Sequence, residues 1–208
     1  MLAIAIVLLP DSKVMNLCLK LNQEAWKEGR ASLRLGKEIV PHIGLVVGCV
    51  KENHLGEIKK KLKNLKSKPV KTALVEMTHF NDQKPGSPDN KACLKVKKTQ
   101  GLAALQKAVA KATVSFFSYN ATSEMFFKER GKEISFSTIR DVNQYMEKRG
   151  GENYNPHISL KCWGFPNKKL NLPSTRPPTT GDRFAQHRWH ARSLRSLGAA
   201  AIDEKSTA

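Results

Sequence analysis

Pro41-His42-Ile43-Gly44-Leu45 returns far along the chain as Pro156-His157-Ile158-Ser159-Leu160. In a β-strand successive side chains point to opposite faces. Each copy therefore sends its isoleucine and leucine (Ile43, Leu45, Ile158, Leu160) into a core. His42 with position 44, and His157 with Ser159, lie on the other face. Two copies of one histidine strand imply one site with two imidazoles. An unperturbed imidazole titrates near neutral pH, so such a pair suits concerted general acid and base chemistry.

Working outward, Met1-Leu2-Ala3-Ile4-Ala5-Ile6-Val7-Leu8-Leu9 is apolar and stops at Pro10-Asp11. It is too short to span a bilayer, lacks a basic leader and a small-residue cleavage site, and is predicted as a buried strand. Asp11 caps a predicted helix with the stripe Val14, Leu17, Cys18, Leu21 and Ala25, ending at Gly29. The first histidine strand is predicted over Val40–Val50, a basic helix over Asn53–Lys66, and strands over Thr72–Met77 and Ala92–Lys97. Asn81–Asn90, with Pro85-Gly86-Ser87-Pro88, is a turn or loop by its chemistry. Thr99 caps a helix with the stripe Leu102, Leu105, Val109, Ala112 and Phe116. Ser137 or Thr138 caps another, carrying Ile139, Val142, Tyr145 and Met146 and ending at Gly150-Gly151. Alternating elements, with one histidine strand in each half, predict an α+β fold. Its expected form is two pseudo-symmetric lobes of antiparallel strands with outer helices around a central cleft.

The repeated frame resembles that of the two-histidine (2H) phosphoesterases, the group containing the 2'-5' RNA ligase-like proteins and RNA 2',3'-cyclic phosphodiesterases. Their mark is a repeated His-x-Thr/Ser. His157-Ile158-Ser159 fits it, whereas His42-Ile43-Gly44 has glycine in place of the hydroxyl. The resemblance covers Met1 to about Trp163. It implies metal-independent hydrolysis of a 2',3'-cyclic phosphate on an RNA end or a small nucleotide, or 2'-5' RNA ligation. His42 and His157 would be acid and base, and no cofactor or metal is expected. Ser159 would bind a phosphate oxygen, and at Gly44 only a backbone N–H or a water can take that role. Tyr154, in the loop entering the second motif, is the aromatic residue singled out to contact substrate. The competing reading is an RNA-binding protein on the same fold with weak or lost catalysis.

Composition points to an anionic partner. The chain has 36 Lys+Arg against 18 Asp+Glu, a formal net charge of +18, which attracts a polyanion such as RNA. Any one lysine of the run Lys59, Lys60, Lys61, Lys63, Lys66 and Lys68 is accounted for as a solvated helix face, since Ile58, Leu62 and Leu65 interleave with them; the whole excess is not. Cys18, Cys49, Cys93 and Cys162 are dispersed, with no zinc spacing, and are expected as reduced, packed thiols in a cytoplasmic monomer. His54, His79, His187 and His190 lack the repeated frame. No glycine-rich phosphate loop occurs, which disfavours a nucleoside-triphosphate enzyme. Residues 1–165 are expected to form the domain. Residues 166–208, rich in Pro and Arg, are expected as a flexible basic tail in which Ala191–Ile202 offers at most a short helix.

Overall fold

The run Leu2–Leu8 is buried at every position and forms β1. In the computed structural model, residues 1–65, 70–79, 91–126 and 133–165 are described, together with the backbone of 168–169 and 190–193. Asp11 then starts helix α1 (Ser12–Lys27), its carboxylate accepting the Val14 N–H at 2.9 Å, a cap worth about 1 kcal/mol. Gly29, at φ 68°, takes the left-handed turn that leaves the helix. Strand β2 (Ile43–Val50) follows, then a 3-10 turn at Glu52–His54 running into α2 (Leu55–Asn64). Next come β3 (Leu74–His79), β4 (Ala92–Val96) and α3 (Gln100–Thr113), which Thr99 caps through the Leu102 N–H.

The second half is more broken. The single helix expected before Gly150 is two, α4 (Phe136–Asn143) and α5 (Tyr145–Arg149). Its cap is Ser135 rather than Ser137 or Thr138, because Ser135 has extended backbone and its hydroxyl accepts the Thr138 N–H. β5 is only His157–Ser159. In the segment read as a tail, Lys168–Lys169 forms β6 and His190–Ser193 forms β7, so Ala191 begins as strand where at most a helix was expected. The remainder of that tail, the loop expected over Asn81–Asn90, and Lys66 and Lys68 lie outside the described residues.

The strands make one sheet in the order β6-β3-β4-β5-β2-β1-β7, with antiparallel neighbours throughout. One face carries the main core. Leu2, Ile4, Ile6 and Leu8 of β1, Ile43, Leu45, Val46 and Val50 of β2, Ala92, Leu94 and Val96 of β4, and Ile158 of β5 pack there against Cys18 and Ala25 of α1, Ile58 and Leu62 of α2, and Leu102, Leu105 and Val109 of α3. On the opposite face Ala3, Val47 and Cys49 pack against Ala121, Phe126, Ile139 and Val142, which brings α4 onto that side.

Strict alternation fails once in β2. Ile6 pairs with Val46 but Val7 pairs with Gly44, so Leu45 is an extra residue, a β-bulge. Leu45 and Val46 are consecutive and both fully buried. The Leu45 carbonyl accepts bonds from Tyr145 Oη (2.9 Å) and Gln106 Nε2 (3.3 Å). The bulge thus sits directly after the first histidine motif and is held from two helices.

Among the described residues no helix is long and apolar enough to cross a membrane. All four cysteines are free and buried.

Candidate functional site

The two motifs are neighbours in the sheet. β2 and β5 run antiparallel with Ile43 opposite Ile158. This register sets His42 across from Ser159 and Gly44 across from His157, so the repeat meets itself about one isoleucine pair. Ile43 (3% exposed), Leu45 (0%), Ile158 (1%) and Leu160 (0%) are buried as their parity requires. His42, Gly44, His157 and Ser159 therefore occupy the other face of the sheet, each half-buried. Directly opposite residues on one face have Cβ atoms about 4.5–5.5 Å apart and diagonal ones about 7–8 Å. The two histidines stand on such a diagonal.

Both rings are anchored in the same way. His42 Nδ1 lies 2.7 Å from the Val40 carbonyl oxygen, and His157 Nδ1 lies 2.8 Å from that of Asn155. In each case the partner is two residues earlier, next to the motif proline. A carbonyl only accepts, so Nδ1 carries the proton and donates it. The basic lone pair of the neutral ring is then at Nε2 in both.

The His157 pKa is pushed down to about 4. Burial is the largest cause; the bond to Asn155 opposes it, and the charges of Arg149, Lys161 and His42 add to the depression. At neutral pH this imidazole is an uncharged base.

A basic frame surrounds it. On β4, Lys95 lies opposite His157 and Cys93 opposite Ser159; on β3, Glu76 lies opposite Lys95 and Thr78 opposite Cys93. Lys95 Nζ pairs with Glu76 at 3.1 Å. Arg149 ends α5, where its guanidinium is 3.8 Å from the Asp141 carboxylate. Lys161 follows the second motif and has φ 55°, in the left-handed region that a side chain disfavours. Burial, with the neighbouring charges of Lys91 and Arg149, lowers the Lys161 pKa against the opposing pull of Asp141. Cys93 is held as a thiol, its pKa raised to about 11 first by burial and then by Glu76.

The chain leading into the first motif is laced to the chain leaving the second. Asn22 of α1, fully buried, donates through Nδ2 to the Leu33 and Leu160 carbonyls, each at 2.9 Å, and accepts the Leu35 N–H at 2.7 Å. Ser32 donates its N–H (2.9 Å) and hydroxyl (3.1 Å) to the Lys161 carbonyl. Arg30 donates to the Trp163 carbonyl at 2.7 Å and stacks its guanidinium 5.0 Å from the Phe165 ring centre.

Of the residues singled out from sequence, His42, Gly44, His157 and Ser159 come together. Tyr154 does not: it is 4% exposed and packs in the main core, so it offers no surface for a base to stack on. Gly44 has no left-handed φ, and a Cβ added there meets nothing within 4 Å. Sequence reading missed Lys95, Arg149, Lys161 and Asn22. The parity of β4 puts Lys95 on one face with Cys93, but which strand it pairs with is not written in the sequence. Among the described residues no three His, Cys, Asp or Glu side chains converge as a metal site. No protein-family model matches the chain, and no curated protein or solved structure matches it significantly.

Proposed function

We propose that the chain is a metal-independent phosphodiesterase of the two-histidine type, opening 2',3'-cyclic phosphates on RNA ends or small nucleotides, with 2'-5' RNA ligation as the parallel ring opening in which a 5'-hydroxyl replaces water. One observation carries this reading. Two imidazoles stand on one sheet face across a single strand pair, each fixed by an Nδ1–H bond to the carbonyl two residues before it, so that Nε2 is the proton-transferring atom of both.

His157 is the base, because its surroundings keep it neutral at working pH. It takes a proton from water as the water oxygen bonds to phosphorus. His42, entering as imidazolium, gives its proton to the ribose oxygen as the phosphorus–oxygen bond breaks. Ser159, opposite His42 by register, donates its hydroxyl to a non-bridging phosphate oxygen. Arg149, whose guanidinium stays charged, supplies the positive field that draws a phosphate to this face. In this reading the sheet divides at the β2–β5 contact into two related lobes, β1–β2 on one side and β3–β4 on the other. A cytoplasmic setting is supported by the four free, buried thiols.

Gly44 favours a second reading, an RNA-binding protein with little catalysis, since half of the hydroxyl pair is missing. The two are separated by incubating the protein with a 2',3'-cyclic mononucleotide and with a cyclic-phosphate-ended oligonucleotide in the presence of EDTA. The phosphodiesterase reading expects chelator-resistant ring opening. Binding of the oligonucleotide without turnover of either substrate establishes the second reading, and loss of turnover with EDTA removes the metal-free mechanism.

A further inference from the structure

The net charge is unevenly placed on the helices. α2 carries Lys59, Lys60, Lys61 and Lys63 with Glu57 as its one acid, and α3 carries Lys107 and Lys111 with none. By contrast α1 holds Lys13, Lys20 and Lys27 with Glu24, between Asp11 and Glu28. The six lysines of α2 and α3 are all exposed, and among the described residues no ion pair involves them.

The two helices lie side by side. Ile58 and Leu62 share the main core with Leu102, Leu105 and Val109. Phe116, just after α3, meets the His54 ring at 5.4 Å and lies 4.8 Å below Lys61 Nζ. Adjacent packed helices run about 8–10 Å apart, so their outward lysines form one surface.

Lys61, Lys63 and Lys111 stand in last turns, where a cation complements the helix dipole, but the spacing of the lysines works against the helices. Lys59 and Lys63, and Lys107 and Lys111, are like charges at the i,i+4 spacing, which destabilises a helix. Opposite charge at that spacing would have solvated the face equally well. We infer that the α2–α3 face is a docking surface for the phosphate backbone of a nucleic acid, read without regard to sequence.

Lysine is a point charge without the bidentate fork that reads bases. No exposed aromatic residue on either helix offers a stacking platform, so the contact is to backbone. A membrane surface is disfavoured, because interfacial helices need large apolar side chains exposed beside the lysines and neither helix exposes one. The surface covers the core face of the sheet, whereas the histidines occupy the other face. It therefore stands independently of the proposed reaction.

The test uses the full chain and a fluorescent 20-nucleotide oligouridine, titrated across a salt series. The variant Lys63→Gln/Lys107→Gln/Lys111→Gln is compared with Lys13→Gln/Lys20→Gln/Lys27→Gln, which removes equal charge from α1. At about 0.7 per phosphate contact, losing three contacts should lower the slope of log K against log salt by about 2. The α1 variant should keep the wild-type slope. Thermal stability of the α2–α3 variant should change little, since two like-charge pairs are relieved while two last-turn cations, Lys63 and Lys111, are lost. Equal losses in both variants, absence of binding by the wild type, or binding of phosphatidylserine vesicles in place of RNA would each overturn the inference. Cyclic mononucleotide turnover, measured alongside, should be the same in all three proteins, so failure here is distinct from failure of the phosphodiesterase reading.

Discussion

The two histidine motifs share an anchor but not an environment. His42 and His157 bond carbonyls at matching positions and turn isoleucine and leucine into the same core. Around them the resemblance ends. The first motif opens an eight-residue strand with a bulge after it, pinned by Tyr145 and Gln106; the second is a three-residue strand ringed by Lys95, Arg149 and Lys161. The second keeps a hydroxyl at Ser159, and the first has the open space at Gly44. A repeated pentapeptide can thus fix ring orientation twice, while the electrostatic surroundings that set His157 apart come from the charges and burial supplied by other elements.

Unlacing the two motif segments from each other has the largest expected effect. Asn22→Leu removes one side chain that satisfies Leu33, Leu35 and Leu160 together. Three backbone groups lose a partner, two of them buried and one part-buried, and a loss on the order of 3 kcal/mol of stability is expected by denaturant titration. A loss below about 1 kcal/mol would mean that Asn22 is not the link between the two motif segments.

Gly44→Ser makes the motifs alike. The added Cβ fits without displacing anything, so folding should be retained. Turnover of a cyclic phosphate should rise by up to about tenfold, part of the 2.7–4 kcal/mol that a positioned oxyanion donor can supply. A lower rate in the folded variant would show that the glycine is needed for close backbone approach to phosphate.

The smallest effect sharpens the electrostatic contrast. With a folded pKa near 4 against an unfolded value near 6.5, His157 binds fewer protons in the folded state between those limits. Its contribution is fully present above pH 6.5 and is lost as pH falls toward 4, with a slope of at most about 1.4 kcal/mol per pH unit. His157→Gln should flatten the pH dependence of stability in this window. An unaltered profile would show that burial does not hold the ring neutral.

Much of the fold was legible because its signals are local. Asp11 and Thr99 as caps, the stripe of α1, the continuous burial of β1 and the inward isoleucine and leucine of both motifs all follow from neighbours in sequence. What was not legible depends on distant partners. The bulge at Leu45 arises from pairing with β1 and from bonds donated by two helices. Tyr154 follows the second motif's approach but packs inward, since proximity in sequence says nothing of the face on which a loop residue ends. Lys95 and Arg149 reach His157 only through the sheet order and the end of α5. The histidines themselves could be found because their frame is repeated, a signal that those cations lack.

The central claim, that His42 and His157 act as one proton-transferring unit, is tested most directly by a double-mutant cycle on turnover of a 2',3'-cyclic mononucleotide. Each single change, His42→Ala or His157→Ala, should lower turnover by about 10²–10⁴-fold. The double mutant should be no more than about tenfold slower than either, because residues that act together lose their effect together. Near-wild-type rates in the single mutants, or losses that multiply in the double mutant, would contradict the account.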